Sequence, residues 1–365
     1  MSLTVLNVAF PMAPVGPDAV GGAEQVLSQL DNGLHALGHR SLVVACEGSV
    51  TKGTLLPTPR WTAPLLNRGR AAEIHRATIR QVLESYAVDL VHMHGVDFHE
   101  YVPPAGVPLL VTLHLPPHWY PTEALGLKRP QTYYHCVSAS QHRACPASAR
   151  LLPEIENGVP DDMLASKHAK RQFAICLGRI CPEKGFHLAI DAAKRAGVSL
   201  LLAGEVFPYE AHQRYFEQEI VPRLDGRRRF IGPVGAKRKR RLISAARCVL
   251  VPSLVAETSS LVTMEALACG TAVIAFRAGA LPDLLASGKT GFLVNDVQEM
   301  AEAIRLSALI NPKDCKDVAG RRFSCQRMIQ RYLDVYHLIA RRAPGSKTLL
   351  PDEQLDPIEQ EAACY

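Results

Sequence analysis

The sequence predicts an α/β protein made of two consecutive units, each with buried parallel strands covered by helices. Three observations carry that expectation. Short apolar, β-rich runs alternate with amphipathic stretches along almost all of the 365 residues. Strands apolar on both faces are typical of parallel sheets sandwiched by helices. One polar stretch, residues 156–170 (ENGVPDDMLASKHAK), stops the alternation near the middle, after which it restarts, as expected of a hinge between two units. The length also exceeds the ~250–300 residues at which a single core stops growing.

The elements follow in order. Residues 3–10 read as the first strand. Residues 23–37 read as a helix, because Val26, Leu27, Leu30, Leu34 and Leu37 fall on one stripe and Gly38 ends it. Strand-like runs at 41–46, 89–94, 108–114 and 133–138 complete a first domain assigned to 1–160. A second domain, 161–325, carries runs at 173–178, 199–204, 229–232, 248–252, 272–276 and 290–294. Residues 300–306 and 325–340 read as helices, the latter within a closing helix assigned to 326–342. The acidic, Pro-containing tail 343–365 is expected to be mobile.

Composition bounds the function. Hydrophobic residues at 47% and charged residues at 21% are the balance of an ordinary globular protein. The net charge of +6 permits attraction to phosphate or to peripheral membrane lipid but is too weak to argue for nucleic acid. The basic runs Arg227-Arg228-Arg229 and Lys237-Arg238-Lys239-Arg240-Arg241 lack interleaved aromatics, so they read as solvated faces, and no nucleic-acid partner is expected. The ten cysteines form no C-x-x-C pair and read as buried, reduced thiols, which suits the cytoplasm. No signal peptide and no membrane span is expected from the opening residues or from any apolar run.

The stretch most loaded with chemistry is 251–294, VPSLVAETSSLVTMEALACGTAVIAFRAGALPDLLASGKTGFLV. Glu257 falls in the loop after a strand, and Glu265, with seven residues between them, falls about two turns into the next helix. Both carboxylates are expected to approach one crevice at the carboxyl end of the strands, where open parallel sheets bind ligands. The first free N–H groups of that helix, around 258–261, would make an anion site there. Each acid alone reads as an ordinary surface or helix-start acid; the pair is harder to set aside. Gly21-Gly22 between the first strand and first helix permits close backbone approach to a ligand, though it is no G-x-G-x-x-G fingerprint. Arg179 and Lys184, at the matching turn of the second domain, could converge on a diphosphate. His114 ends a strand and could bond a sugar hydroxyl. His92 and His94 have no third metal ligand to join them and read as structural. No Asp-x-Asp pair occurs, so the usual carboxylates for a divalent metal are missing.

These motifs resemble the retaining glycosyltransferases of family 4, enzymes of the GT-B fold with two facing Rossmann-like domains and a cleft between them. The resemblance runs over about residues 1–340. It rests on GGAEQVLSQLDNGLHALGHR, VDLVHMHG, VPLLVTLH, CVSAS, ENGVP, LGRICPEKGFHLAIDAA, FIGPVG and the two-glutamate block. It implies an enzyme that moves a hexose from a nucleotide-sugar to an acceptor bound mainly by the first domain, with retention and without a metal or other cofactor. By the resemblance Arg179 and Lys184 would hold the donor diphosphate, Glu265 the ribose, and Glu257 the donor sugar. Ser259, Ser260 and Leu261 would offer backbone N–H groups, His114 would reach the sugar from the first domain, and Gly22 would line the phosphate face. Two departures stand out: Thr258-Ser259-Ser260 where many relatives carry Gly-Phe-Gly, and Pro282-Asp283 where many carry Pro-Glu. Both bear on the identity of the sugar. A UDP- or a GDP-sugar fits as donor. A glycan, a lipid-linked sugar at the inner face of the membrane or a small molecule fits as acceptor, and polysaccharide biosynthesis is the expected setting. A sugar-nucleotide epimerase and a non-catalytic sugar-nucleotide-binding protein stand as rivals.

Overall fold

The computed structural model describes residues 2–341 apart from 62–63, 148, 161–162 and 164–165. The tail assigned to 343–365 lies outside the described residues. Two six-stranded parallel sheets form the frame. The first contains β1 (Thr4–Val8), β2 (Arg40–Cys46), β3 (Thr54–Thr58), β4 (Leu90–Met93), β5 (Leu109–Leu113) and β6 (Thr132–Cys136), in the order β3-β2-β1-β4-β5-β6. The second contains β7 (Phe173–Leu177), β8 (Ser199–Ala203), β9 (Arg228–Phe230), β10 (Cys248–Val251), β11 (Ala272–Phe276) and β12 (Gly291–Val294), in the order β12-β11-β10-β7-β8-β9. Numbered from its own first strand, the second sheet repeats the order of the first. In both, strand order reverses beside the first strand, which places a crevice at the carboxyl ends of β1/β4 and of β7/β10.

The strands form where the sequence is continuously apolar. Leu42–Cys46, Leu90–Met93 and Leu109–Leu113 are buried throughout, as a sheet covered on both faces requires. Helix α1 (Gly22–Ala36) buries Val26, Leu27, Leu30 and Leu34. The alternation does not mark every element, strand β3 and the helix after it among those it omits. Strand β3 is at a sheet edge and carries Pro57, which an edge position tolerates. Helix α2 (Pro64–Ser85) has a mixed, polar sequence with no clean stripe.

The second domain carries the helices α4 (Phe186–Ala196), α5 (Glu210–Tyr215), α6 (Ala236–Ala245) and α7 (Leu261–Ala268). The last helix, α11 (Cys325–Arg341), follows α8 (Leu281–Leu284), α9 (Val297–Leu306) and α10 (Pro312–Arg322), while α3 (Ala139–Ala144) closes the first domain. Helix α11 returns to the first domain, where Met328, Ile329, Tyr332, Leu333 and Tyr336 join a core with Leu3, Val5, Val26, Leu30 and Leu34. The polar stretch between the domains is pinned where the chain crosses back. Asn157, Gly158 and Val159 are buried; the Val159 N–H donates to the Phe323 carbonyl at 2.8 Å and the Cys325 N–H to the Val159 carbonyl at 3.1 Å. No helix among the described residues is long and apolar enough to cross a membrane.

Candidate functional site

The second domain supplies the charged half of the site. Past β7 the chain passes Gly178, whose carbonyl oxygen would lie 1.8 Å from a side chain on Gly204; only glycine there lets Arg179 leave the strand at this angle. A short turn, Pro182–Lys184, follows. It ends at Gly185, which has φ +62° and sits where a Cβ would meet the Pro252 carbonyl at 2.2 Å. That close approach brings the turn after β7 against the exit of β10, and the Leu254 N–H donates to the Glu183 carbonyl at 2.8 Å to hold it. The outcome is a direct ion pair, Lys184 Nζ to Glu257 Oε1 at 2.5 Å, with the Glu257 side chain 10% exposed. The Ser253 hydroxyl donates to the same oxygen. From behind, the Ala280 N–H donates to the Glu257 carbonyl at 2.7 Å. Arg179, Lys184 and Glu257 thus line one cavity, together with Glu183, His212 and Thr258.

The first domain supplies the opposite wall. Leu115, Pro116 and the half-exposed Trp119 line the same cavity. The Thr258 hydroxyl donates to the His114 carbonyl at 2.8 Å, and Asn157 Nδ2 donates to Ser259 Oγ at 3.1 Å, so the domains touch directly. His114 itself turns toward a partner read from sequence as merely structural: its Nε2 lies 3.1 Å from His94 Nδ1, with the rings stacked. Behind them His92 bonds Tyr336 and Thr112, and Thr112 bonds His135. Burial, reinforced by the neighbouring imidazoles, pushes His92 and His94 well below the usual histidine range and His114 down to about 3. Burial also takes His135 to about 4. These rings are neutral at pH 7. Gln141 positions the loop, its amide donating to the Leu113 and Leu115 carbonyls at 2.7 and 2.9 Å. Neither His94 nor Gln141 was singled out as functional from sequence. The one trace was the histidine pair in LVHMHG, at a strand end adjacent to that of His114.

Helix α7 places the remaining candidates. Ser260 caps it, accepting from the Thr263 N–H at 3.3 Å, and Leu261 is its first residue. Gly22 packs close to Leu261, whose Cδ1 would lie 3.4 Å from a Cβ at that position. The start of α1 is already covered by a carboxyl group: Glu24, in its first turn, folds so that its Oε2 lies 1.8 Å from where a Cβ on Gly21 would stand. Burial raises the Glu24 pKa, against its own N–H and the Arg179 charge, which lower it. Glu24 was not among the residues expected from sequence.

Glu265 points elsewhere than Glu257. It lines a separate, larger cavity of about 620 Å³, between Gln25 and Gln29 of α1 and Lys237, Lys239 and Arg240 of α6. The expectation that both acids meet in one crevice is corrected here: eight residues along, Glu265 faces α1 and α6, whereas Glu257 faces the turn after β7. Within the run 237–241, read as a solvated face, Lys237, Arg238 and Arg241 are exposed, and the expectation is corrected at Lys239. Lys239 Nζ lies 2.5 Å from Glu265 Oε1, with side chains 17% and 5% exposed, because an amphipathic α6 must turn part of its basic run inward. Arg228, likewise read as solvated, is buried and paired with Asp225. The other Glu265 oxygen is buried with no hydrogen-bond partner among the described residues, so an additional donor can be received there.

Comparison with known proteins agrees with this fold. Two family models match, one per half: Glycosyltransferase Family 4 over residues 20–147 and Glycosyl transferases group 1 over residues 171–308. The D-inositol 3-phosphate glycosyltransferase of Mycobacteroides abscessus is 33% identical over 178 residues, 45% of this chain and 40% of that protein. The chain therefore spans two fifths of that relative's length. The alpha-maltose-1-phosphate synthase of Mycolicibacterium smegmatis is 25% identical over 92% of this chain and 100% of its own. Among solved structures, HepE of Anabaena in complex with UDP-glucose superposes with a TM-score of 0.73 at 19% identity, over 92% of this chain and all of that one. The two facing sheets are those of the GT-B fold.

Proposed function

The chain belongs to the family 4 glycosyltransferases of the GT-B fold, and we propose that it moves a hexose from a nucleotide-sugar to an acceptor with retention of configuration and without a metal. The observation that carries this reading is the meeting of Arg179, Lys184 and Glu257 at the carboxyl ends of β7 and β10, against the His114 loop of the other domain. When the bond between sugar and diphosphate breaks, negative charge grows on the leaving group. Arg179 and Lys184, lining the cavity, would meet that charge as it develops. Lys184 has three protons to donate; one engages Glu257, and the others remain for phosphate. Glu257, pinned from both sides, would hold sugar hydroxyls. Glu265 with Lys239, in the larger cavity, would take the ribose.

The chemistry at His114 fits a mechanism without a strong base. An imidazole held near pKa 3 accepts a proton poorly at neutral pH. On this reading the leaving diphosphate itself takes the acceptor proton, on the face it departs from, and the stereochemistry is retained. The cavity at Glu257 is only about 110 Å³, against the ~300–1,000 Å³ of ordinary ligand pockets. Parting of the domains would admit the donor, and reclosure would exclude water that could waste it. The acceptor would bind on the Leu115–Trp119 wall; a glycan, a lipid-linked sugar reached at a membrane surface and a small molecule are the classes that suit the family.

The test is thermal unfolding with EDTA present, against UDP, GDP, ADP and NAD in parallel. A ligand at ~100 times its dissociation constant adds ~2.7 kcal/mol. A rise with one nucleoside diphosphate is the expected result and names the base. A rise with NAD alone would overturn the transferase reading. Incubating the matching nucleotide-sugar with candidate acceptors, and reading the anomer by NMR, then tests transfer and retention.

A further inference from the structure

We propose that Cys181, Glu183 and His212 form a three-ligand site for a soft divalent cation of the zinc class, on the rim of the cavity lined by Arg179 and Lys184. Among the described residues these three bring one ligand atom each to within 4.8 Å of one another. Cys181 immediately precedes the turn after β7, Glu183 lies in that turn, and His212 comes across from α5. Cys181 is buried beneath, while Glu183 and His212 face the cavity, so the pocket gives an entry path.

The groups are chemically matched and partly ordered in advance. A thiolate, an imidazole and a carboxylate are the ligand types that zinc takes, and three protein ligands leave a fourth position for water or another oxygen. The Cys181 thiol donates to the Arg179 carbonyl at 3.7 Å, which orients its sulfur beside Glu183. The His212 ring stacks on Phe207 at 6.2 Å and meets Tyr209 edge-on at 5.1 Å, which limits its rotation. Its Nδ1 is buried with no hydrogen-bond partner among the described residues. Tetrahedral ligands at zinc bond lengths lie about 3.3–3.7 Å apart, so a contraction of about 1.5 Å or less closes the site. On binding, the sulfur–metal bond forms as the Cys181 thiol releases its proton to solvent. The Arg179 guanidinium opposes a second cation here; the thiolate and Glu183 carboxylate offset it. The site goes beyond the transferase reading and does not rest on it, since none of the steps above uses an ion.

The test is calorimetric titration of the full chain with zinc(II) in the absence of nucleotide, beside its cobalt(II) absorption spectrum. One ion per chain at this site and a thiolate-to-cobalt charge-transfer band are expected. Cys181→Ser should remove the band and lower zinc affinity at least tenfold, and His212→Gln should lower it comparably, with both metal-free variants still unfolding in one cooperative transition. Glu183→Gln repeats the test from a side chain outside the core. No binding would overturn the proposal. So would binding that both Cys181→Ser and His212→Gln leave intact, or a cobalt band that survives in Cys181→Ser, since either puts the ion on other residues.

Discussion

The two domains share one strand order and differ in what their strand ends carry. At the ends of β4 and β5 the first domain presents neutral rings, His94, His114 and, just beyond, Trp119. At the ends of β7 and β10 the second presents charges, Arg179, Lys184 and Glu257. The same topology has made two crevices of opposite character. The first has its imidazoles packed behind one another and stripped of water, which suppresses protonation. The second keeps its cations half-exposed and balances one of them with a buried carboxylate. The contrast fits a division of labour in which one wall orients a neutral acceptor and the other carries the charge that develops during transfer.

The sharpest way to break that division is to remove a charge. Arg179→Ala and Glu257→Gln should each cut transfer at least tenfold with the fold intact, and the loss of a preorganised charge partner can reach ~2.7–4 kcal/mol in the barrier. Full activity in both variants with the true acceptor would place the reaction elsewhere. The neutral wall makes an acid prediction. His135 is held at about 4, mainly by burial, so between pH 6.5 and 4 the unfolded chain binds a proton that the folded ring refuses. Stability is therefore lost as pH falls through that window, by about 3 kcal/mol for one such ring. Hydrogen exchange should show the first-domain strands losing protection before β10 and β11; uniform loss would erase the contrast.

Two smaller tests probe how the walls are held. Gly279 has φ +58°, and a Cβ there would meet the Glu257 carbonyl at 2.2 Å. Gly279→Ala should destabilise by ~2 kcal/mol or more and lower transfer by displacing Glu257; a melting temperature equal to the parent's would show that the loop yields. Thr258→Val removes the hydroxyl that bonds the His114 carbonyl, worth about 1 kcal/mol. Small-angle scattering should then show a larger radius of gyration without ligand, and an unchanged profile would mean that the domains are held by other contacts.

Much of this was legible in the sequence because it is local. Continuous apolar runs mark buried parallel strands, and the stripe of α1 and the loops at strand ends follow from spacing. Arg179, Lys184 and Glu257 were therefore identifiable as residues at strand ends. Among the elements that escaped are two whose stability comes from neighbours: β3, an edge strand containing proline, and α2, whose sequence has no clean stripe. In the basic run 237–241 only Lys239 and Arg240 turn partly inward, because composition does not say which face of a helix does so.

What the sequence by itself determined was the repeated α/β plan and the residue types delivered to each strand end, since both depend on short-range periodicity. What only the tertiary structure decided was which of those residues meet. Lys184 reaches Glu257 because Gly185 lets two strand exits approach within a distance that any Cβ would forbid. His94 backs His114 because β4 and β5 are neighbours in the sheet. Glu265 answers to Lys239, in its own cavity, because α6 and α7 pack side by side. Each pairing is a long-range contact, fixed by how the whole chain packs, and spacing along the sequence holds no record of it.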